Sequence, residues 1–310
     1  MRSPRRRVLV AAAMASAVAL PATAMALSGG TTASTGDGSS TAAYTASATQ
    51  ARSRGLAVVG LTADHRLVRF NAGSADRIQR KAKIYGLQED RWLVGIDYRV
   101  QDGKLYGVGD LGGVYTIDTG SRFGRATKVS QLTVPLAGTN FGVDFNPAAN
   151  RLRVISDTGQ NLRHNIDDPA GAPAAGTTAT DGTLAYPGVP PAPPTTATQV
   201  TAAAYTNNDL DPNTATTLFD IDTMLDQVVI QSPANAGTLA ATGKLTVDAG
   251  RRAGFDIYMT RSGNRGLAVL EVGGRARLYD VALLSGEANR LGSFPSGLNV
   301  VDIAIPLGNR

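Results

Sequence analysis

The sequence predicts an all-β protein, a β-propeller of five four-stranded blades. Three observations favour this fold. Apolar residues recur at a period of two, and Gly, Asn and Asp turns interrupt this pattern every 8–12 residues or so. A short motif also recurs along the chain, with three further strand patterns after each copy. Four strands per repeat at such intervals is the blade pattern of a propeller.

The recurring motif places an aspartate inside an apolar strand. Its copies are Gly95-Ile96-Asp97-Tyr98, Gly142-Val143-Asp144-Phe145, Gly254-Phe255-Asp256-Ile257 and Val300-Val301-Asp302-Ile303. Ala202-Ala203-Ala204-Tyr205 occupies the remaining position without a carboxylate. Successive copies are 47, 60, 52 and 46 residues apart.

Three strands follow each of the first four motifs. We expect them at 104–108, 113–118 and 126–132, then 151–156, 161–166 and 182–186, then 216–221, 227–231 and 239–245, and finally 266–272, 277–281 and 288–294. The first strands of the chain, at 55–61, 67–71 and 77–85, lack an inner strand, and the last, at 299–306, lacks partners. Joining the two ends completes the fifth blade and removes exposed sheet edges. Six blades is the alternative if residues 76–92 contain further strands.

The start of the chain resembles an export signal. Four arginines precede an apolar run at 8–20, and Ala24-Met25-Ala26 fits a cleavage site. We therefore expect a signal peptide at 1–26, a flexible Ser/Thr/Gly/Ala-rich tether at 27–54, and a propeller domain at 55–310 with a Pro-rich insertion near 169–198. The arginines fit general and twin-arginine export equally. The expected location is extracellular or at the cell envelope, with no transmembrane segment.

Composition excludes several classes of function. The full chain has 30 Lys and Arg against 25 Asp and Glu, but four of those arginines lie in the predicted leader, which leaves a formal charge of about +1. Nucleic-acid binding therefore has no support from charge. The chain contains no cysteine, which excludes disulfides, cysteine-ligated zinc and thiol catalysis.

Several motifs resemble a bacterial family called domain of unknown function 4394. They are Leu93-Val94-Gly95-Ile96-Asp97-Tyr98-Arg99, Lys104-Leu105-Tyr106-Gly107-Val108, Gly113-Val114-Tyr115-Thr116-Ile117-Asp118, Phe145-Asn146-Pro147, Ser156-Asp157-Thr158-Gly159-Gln160-Asn161-Leu162-Arg163, Ala203-Ala204-Tyr205-Thr206-Asn207 and Gly237-Thr238-Leu239. The similarity covers about 55–307. It implies a secreted, propeller-like domain, and it implies no activity and no catalytic residues.

The repeated aspartates have three interpretations. On the innermost strands of a propeller, Asp97, Asp144, Asp256 and Asp302 would face the central channel, where four carboxylates suit a hard cation such as Ca²⁺. Alternatively, each carboxylate accepts hydrogen bonds from backbone N–H groups of the next blade. A catalytic role is the third interpretation. Repetition favours the structural role, because a catalytic site seldom needs the same group on nearly every blade.

A second candidate site is the polar turn after the second motif. Asp157, Gln160, Asn161 and Arg163 lie in a hairpin that a propeller places on the same face as the entry to the inner strand. We expect them to surround the channel mouth together with Tyr205, where their fixed donors and acceptors suit a sugar or carboxylate ligand. The alternative is an Asx-type turn with Gly159 at a positive φ.

The sequence favours a binding or interaction scaffold for a small molecule, glycan or cell-surface partner, acting as a monomer. The alternative is a metal-dependent propeller hydrolase or lactonase, in which a channel cation polarises a carbonyl or activates water. A purely structural protein is the third class. Fold does not separate them, because function depends on the site.

Overall fold

The computed structural model describes residues 55–211, 213–260 and 263–308. The predicted signal peptide and tether lie outside the described residues. Within those ranges the regular structure is all-β apart from a short 3₁₀ helix, Ala234–Ala236. Among these residues, no helical segment has the length and hydrophobicity of a membrane span.

In the described ranges, twenty strands form five four-stranded antiparallel sheets, which we number as blades. Blade 1 contains β1 (Ala57–Thr62), β2 (Arg66–Asn71), β3 (Arg80–Lys83) and β22 (Val300–Ala304); blade 2 contains β4 (Leu93–Tyr98), β5 (Leu105–Gly109), β6 (Gly113–Ile117) and β7 (Ala126–Gln131); blade 3 contains β8 (Phe141–Asn146), β9 (Arg151–Ser156), β10 (Asn161–Asn165) and β11 (Thr177–Thr180); blade 4 contains β14 (Val200–Tyr205), β15 (Leu218–Asp222), β16 (Gln227–Gln231) and β17 (Leu239–Lys244); blade 5 contains β18 (Ala253–Thr260), β19 (Gly263–Val272), β20 (Arg275–Val281) and β21 (Ala288–Ser293).

The two ends of the chain close the ring. Strand β22 pairs antiparallel with β1, with Gly60 opposite Ile303 and Leu61 opposite Asp302. Blade 1 therefore has the order β22-β1-β2-β3, in which the last strand of the chain is the innermost. This confirms the predicted five-bladed propeller and its closure, and the six-bladed alternative is wrong.

The outermost strand of blade 3 differs from its prediction at 182–186. That strand is β11, Thr177–Thr180, within the predicted Pro-rich insertion. Its Thr-Thr-Ala-Thr sequence is half-exposed, so it carries no hydrophobic pattern. The apolar Leu184 is instead fully buried against blade 4, beside a small hairpin of β12 (Ala185–Tyr186) and β13 (Thr195–Thr196).

The hydrophobic core is divided among the contacts between adjacent blades. In one of these contacts, Tyr106 and Val108 of blade 2 pack against Phe145 and Leu152 of blade 3. Four further clusters join the other pairs of neighbouring blades around the ring. Because each middle strand is covered on both faces, all six residues of β9 are buried.

The glycine of the repeated motif allows the inner strands to approach one another closely. It occurs two residues before the aspartate as Gly95, Gly142 and Gly254. A Cβ on Gly142 would lie 2.6 Å from the backbone N of Ala203 in blade 4, and one on Gly254 would lie 2.4 Å from the Cα of Asp302 in blade 1. Any side chain here would push two blades apart near the axis.

Gly142→Ala should lower the free energy of unfolding by about 1–3 kcal/mol, because the added methyl group meets backbone that cannot move aside. Chemical denaturation measures the change. Gly292→Ala is the matched control, since its Cβ would find its nearest neighbour at an ordinary 3.5 Å. Equal effects of the two substitutions would contradict close packing of the inner strands.

Candidate functional site at the axis and channel mouth

The four repeated aspartates lie on the innermost strands, around the propeller axis. Their exposed fractions are between 1% and 6%, so all four are buried. Strand alternation explains their direction. Ile96 and Tyr98 enter the core between blades 1 and 2, so Asp97 between them points to the opposite face, toward blade 3.

Each aspartate accepts a hydrogen bond from the backbone of the next blade. The donors are Ile96 N to Asp302 Oδ2 at 2.8 Å, Phe145 N to Asp97 Oδ2 at 2.8 Å, Tyr205 N to Asp144 Oδ1 at 3.2 Å and Ile305 N to Asp256 Oδ2 at 2.6 Å. These bonds join blades 1 to 2, 2 to 3, 3 to 4 and 5 to 1. They are the contacts that the structural interpretation of the repeat expects.

The contact between blades 4 and 5 is different. Blade 4 has Ala204 at the aspartate position, so it offers no carboxylate to its neighbour. The corresponding N–H of Ile257 donates to Asp256 Oδ1, in its own strand, at 2.6 Å. Apolar packing of Ala204 with Ile257 and Phe255 replaces the missing hydrogen bond.

The carboxylates are electrostatically crowded. Burial and the neighbouring Asp256 raise the pKa of Asp97 well above its usual value, and burial and Asp97 do the same for Asp144. Burial raises the pKa of Asp256 to about 7 and raises that of Asp302 as well. Protons or a cation would therefore relieve the repulsion at the axis.

Three of the four predicted cation ligands come together. Asp97, Asp144 and Asp256 each place one carboxylate oxygen so that the three oxygens lie within 4.8 Å of one another. Asp302 is outside this group. Oxygen ligands suit Ca²⁺, so these three residues are the ones that would hold the predicted cation, and its presence stays a prediction.

A cavity of about 370 Å³ lies at the channel mouth, above the aspartates. Its walls come from blades 1, 2, 3 and 5, at the ends where the inner strands begin. The apolar part includes Trp92, Leu93, Val94, Phe141 and Val301. The polar part consists of Thr62, His65, Thr139, Asn140 and Arg252.

Trp92 is held in a fixed orientation at the cavity wall. Its ring stacks on His65, with 5.6 Å between the centroids and 13° between the planes. The guanidinium carbon of Arg91 lies 4.2 Å from the Trp92 ring centroid, and the Arg91 side chain bonds to Asp110. A rigid aromatic wall is a preorganised contact for a ligand.

Two of the five predicted ligand-binding residues, Asp157 and Gln160, form hydrogen bonds with the loop that lines the mouth cavity. Asp157 accepts hydrogen bonds from the backbone and side chains of Thr139 and Asn140, both of which line the cavity. Burial opposes ionisation of Asp157, but these bonds prevail and lower its pKa. Gln160 bonds to Ala137 N and Pro135 O in the same loop.

The other three predicted residues lie between blades 3 and 4, around Arg153. This arginine is 2% exposed and donates to Asn161 Oδ1 at 2.7 Å, Tyr205 Oη at 3.3 Å and Asp181 Oδ2 at 2.6 Å. Arg163 also donates to Asp181, at 3.3 Å. None of the five predicted residues is among the side chains that line the mouth cavity.

Sequence reasoning missed the residues that do line the cavity. Trp92, Asn140 and Arg252 occur just before inner strands, at equivalent positions whose residue type differs from blade to blade. The available signal was topological, because the residues just before the inner strands lie at one end of the ring, and those of blades 2, 3 and 5 line the cavity. His65 belongs to a hairpin between the second and third strands of its blade, which reaches the same face.

Comparison with protein-family profiles identifies a family that matches most of the chain. The profile of a family described as "Domain of unknown function (DUF4394)" matches residues 66–304. Comparison with curated proteins found no match.

Solved structures with a similar fold include a structural genomics protein of unknown function from Bacteroides thetaiotaomicron, at 12% identity and a TM-score of 0.44. An auxiliary nutrient binding protein from the same species matches at 10% identity and a TM-score of 0.42. The alignments cover 82% and 80% of this chain, but 65% and 61% of those proteins. The chain therefore spans less than two thirds of either protein, and such similarity carries no argument about function.

Asp144→Ala should lower the free energy of unfolding by roughly 1–3 kcal/mol, because the buried N–H of Tyr205 loses its acceptor. Thermal and chemical denaturation measure the loss. Asp76→Ala is the control, since Asp76 is exposed. A more stable Asp144→Ala variant would show that relief of repulsion outweighs the lost hydrogen bond.

Calcium and pH should act on the axis together. In chelator, stability should fall as pH rises from about 4 to 7, because the folded pKa of Asp256, about 7, lies above its unfolded value of 3.8, and the folded state alone holds this proton in that range. Bound Ca²⁺ favours the ionised carboxylates, so it should raise the melting temperature most at high pH.

Asp256→Asn should abolish the effect of calcium, and the exposed Asp76→Asn should leave it intact. Identical melting temperatures in calcium and in chelator at pH 8.5 would contradict the cation hypothesis and leave proton uptake as the source of charge relief.

Proposed function

The chain belongs to the family described as Domain of unknown function (DUF4394). Because this description names no activity, we propose a function from the site alone. The protein is a binding module that captures a small hydroxyl-rich or carboxylated ligand, such as a sugar acid or the end of a glycan, at the channel mouth. The cavity around Trp92, Asn140 and Arg252 is the observation that carries this proposal.

The cavity has the properties of a small-ligand site. Its volume of about 370 Å³ is sufficient for a small molecule, and its walls combine apolar surface with a few polar groups. Asn140 supplies an amide, Thr62 and Thr139 supply hydroxyls, and Asp157 fixes the loop that presents Asn140. These groups can bind several hydroxyls of a sugar in one orientation.

Charge favours a ligand with a carboxylate. Arg252 lines the cavity, and among the described residues no Asp or Glu side chain does. Neither Arg252 nor His65 forms an ion pair within the described part of the chain. A guanidinium without a protein carboxylate can form a bidentate pair with a ligand carboxylate, which supplies both affinity and orientation.

The hydrolase or lactonase alternative rests on the three axial carboxylates. A catalytic metal needs an open coordination position that substrate can reach. Asp97, Asp144 and Asp256 are 3%, 1% and 1% exposed, and each has an oxygen engaged by backbone N–H. Their burial supports binding at the mouth rather than catalysis at the axis.

The proposal also covers where the protein works. With the predicted signal peptide and tether, the propeller is exported and presents its mouth at the cell surface or beyond. It acts there as a monomer.

Fluorescence of Trp92 tests the proposal directly, since the chain contains one tryptophan and it lies at the cavity. Titration with glucuronate should give a saturable change in emission, and titration with glucose a weaker one. Arg252→Gln should weaken glucuronate binding by about tenfold, through loss of a charge-assisted pair.

Arg251→Gln is the matched control, because Arg251 is the exposed neighbour of Arg252 and does not line the cavity. A panel of uronic acids and neutral sugars extends the titration. Absence of any saturable signal across the panel, or equal losses in the two arginine variants, would contradict binding at the mouth. Hydrolysis of a lactone by the protein would instead favour the enzymatic alternative.

A further inference from the structure

A second cavity of about 370 Å³ lies at the outer part of blade 5, beside the segment that leads into blade 1. One side is formed by strands β20 and β21. The other side is formed by residues 294–299, the connection from β21 to β22. This cavity shares no lining residue with the channel mouth.

Three arginines line this second cavity. Arg275 and Arg277 are two residues apart on β20, so their side chains lie on the same face of the sheet, and Arg290 comes from β21. Within the part of the chain that the structure describes, no Asp or Glu contributes to the lining. The propeller has nearly balanced charge once the predicted leader is excluded, so this concentration of arginine is local.

The arginines keep their hydrogen-bonding capacity. None of the three forms an ion pair with a carboxylate in the part of the chain that the structure describes, whereas Arg265 on the neighbouring strand is paired with Asp280 at 2.8 Å. Arg290 donates to Ser293 Oγ at 2.6 Å, which orients its guanidinium along the cavity wall. Guanidinium groups left without an acid suit a ligand that supplies the negative charge.

The opposite wall is an ordered turn that carries two polar side chains. Phe294 is buried, and its ring packs edge-on against Phe70 with 5.2 Å between centroids. The turn that follows is closed by a hydrogen bond from Leu298 N to Pro295 O at 3.0 Å. The same wall adds the hydroxyl of Ser296 and the amide of Asn299.

We propose that this cavity is a binding site for an oxyanion, the phosphate or sulfate group of a small ester. The three arginines supply charge-assisted donors to its oxygens, and Ser293, Ser296 and Asn299 supply neutral donors. A tetrahedral anion with several oxygens matches this set of donors better than a single carboxylate does. The site is independent of the ligand proposed for the channel mouth.

The two cavities open on the same end of the ring. The turn between β1 and β2 reaches the mouth cavity, the turn between β19 and β20 reaches the oxyanion cavity, and both turns join the second and third strands of a blade. Ala63 N, at the mouth, donates to Asn299 O, at the oxyanion cavity, at 2.9 Å. A ligand that carries an ester group can therefore approach both from one side.

Calorimetric titration of the full chain at low ionic strength tests the site. The probes are inorganic pyrophosphate, glucose 6-phosphate and glucose 6-sulfate, and the comparison of the two esters identifies the preferred oxyanion. Arg275→Gln should weaken binding about tenfold, and the double variant Arg275→Gln, Arg277→Gln should weaken it further. Arg275 is exposed, so its substitution leaves the fold unchanged.

Two controls remove one positive charge elsewhere. Arg125→Gln changes an exposed arginine in blade 2, and Arg251→Gln changes an exposed arginine that lines neither cavity; both should bind the probes within about twofold of the unaltered protein. Equal losses in the controls and in Arg275→Gln would show general attraction between charges and overturn the site. No measurable binding of any probe would also overturn it. Oxyanion binding that persists in Arg252→Gln separates this site from the mouth.

Discussion

The ring depends on one contact, the hydrogen bond from a backbone N–H near the axis to a carboxylate of the preceding blade. An innermost strand pairs with its own sheet on one side and has a free edge on the other. Asp97 satisfies one such edge N–H, that of Phe145, and joins two sheets that otherwise meet through side-chain packing. Three of the aspartates follow a glycine by two residues, as at Gly142. The glycine allows the inner strands to approach closely enough for this hydrogen bond to form.

The charge of the carboxylate limits the number of blades that can form this contact. Each added carboxylate brings another charge to a buried axis, and the raised pKa values of Asp97 and Asp144 express that crowding. Blade 4 omits the carboxylate, and its contact with blade 5 is built from apolar side chains around Ala204. The contact between blades 3 and 4 contains charged groups as well. Arg153 lies opposite Asp144 in the sheet and donates a hydrogen bond to Asp181 of the insertion. The irregular insertion thus completes the charge balance of a regular ring.

The fold was predictable because its motif repeats in the sequence. The residues of the site were harder to predict because they do not belong to the repeat. The five blades, the closure and the axial aspartates follow from a motif that recurs, so errors at one copy are corrected by the others. Strand β11 carried no such signal, because its threonines are half-exposed and nothing apolar marks it. Asn161 and Arg163 share one face of β10, but the sequence does not indicate that this face meets Arg153 rather than the mouth. The residues that line the mouth cavity come from four blades and become neighbours only when the ring closes.

Closure also explains where the chain can vary. Residues within the inner strands are constrained by glycine contacts and axial hydrogen bonds. Residues just before these strands take no part in those contacts. Trp92 and Arg252 occupy such positions in blades 2 and 5, and the arginines of the second cavity occupy outer strands, where neighbouring blades are farther apart. The structural requirement at the axis therefore concentrates chemical diversity at one end of the ring. At that end, one cavity has apolar walls and a single arginine, the other has three arginines, and the two suit ligands of different chemistry.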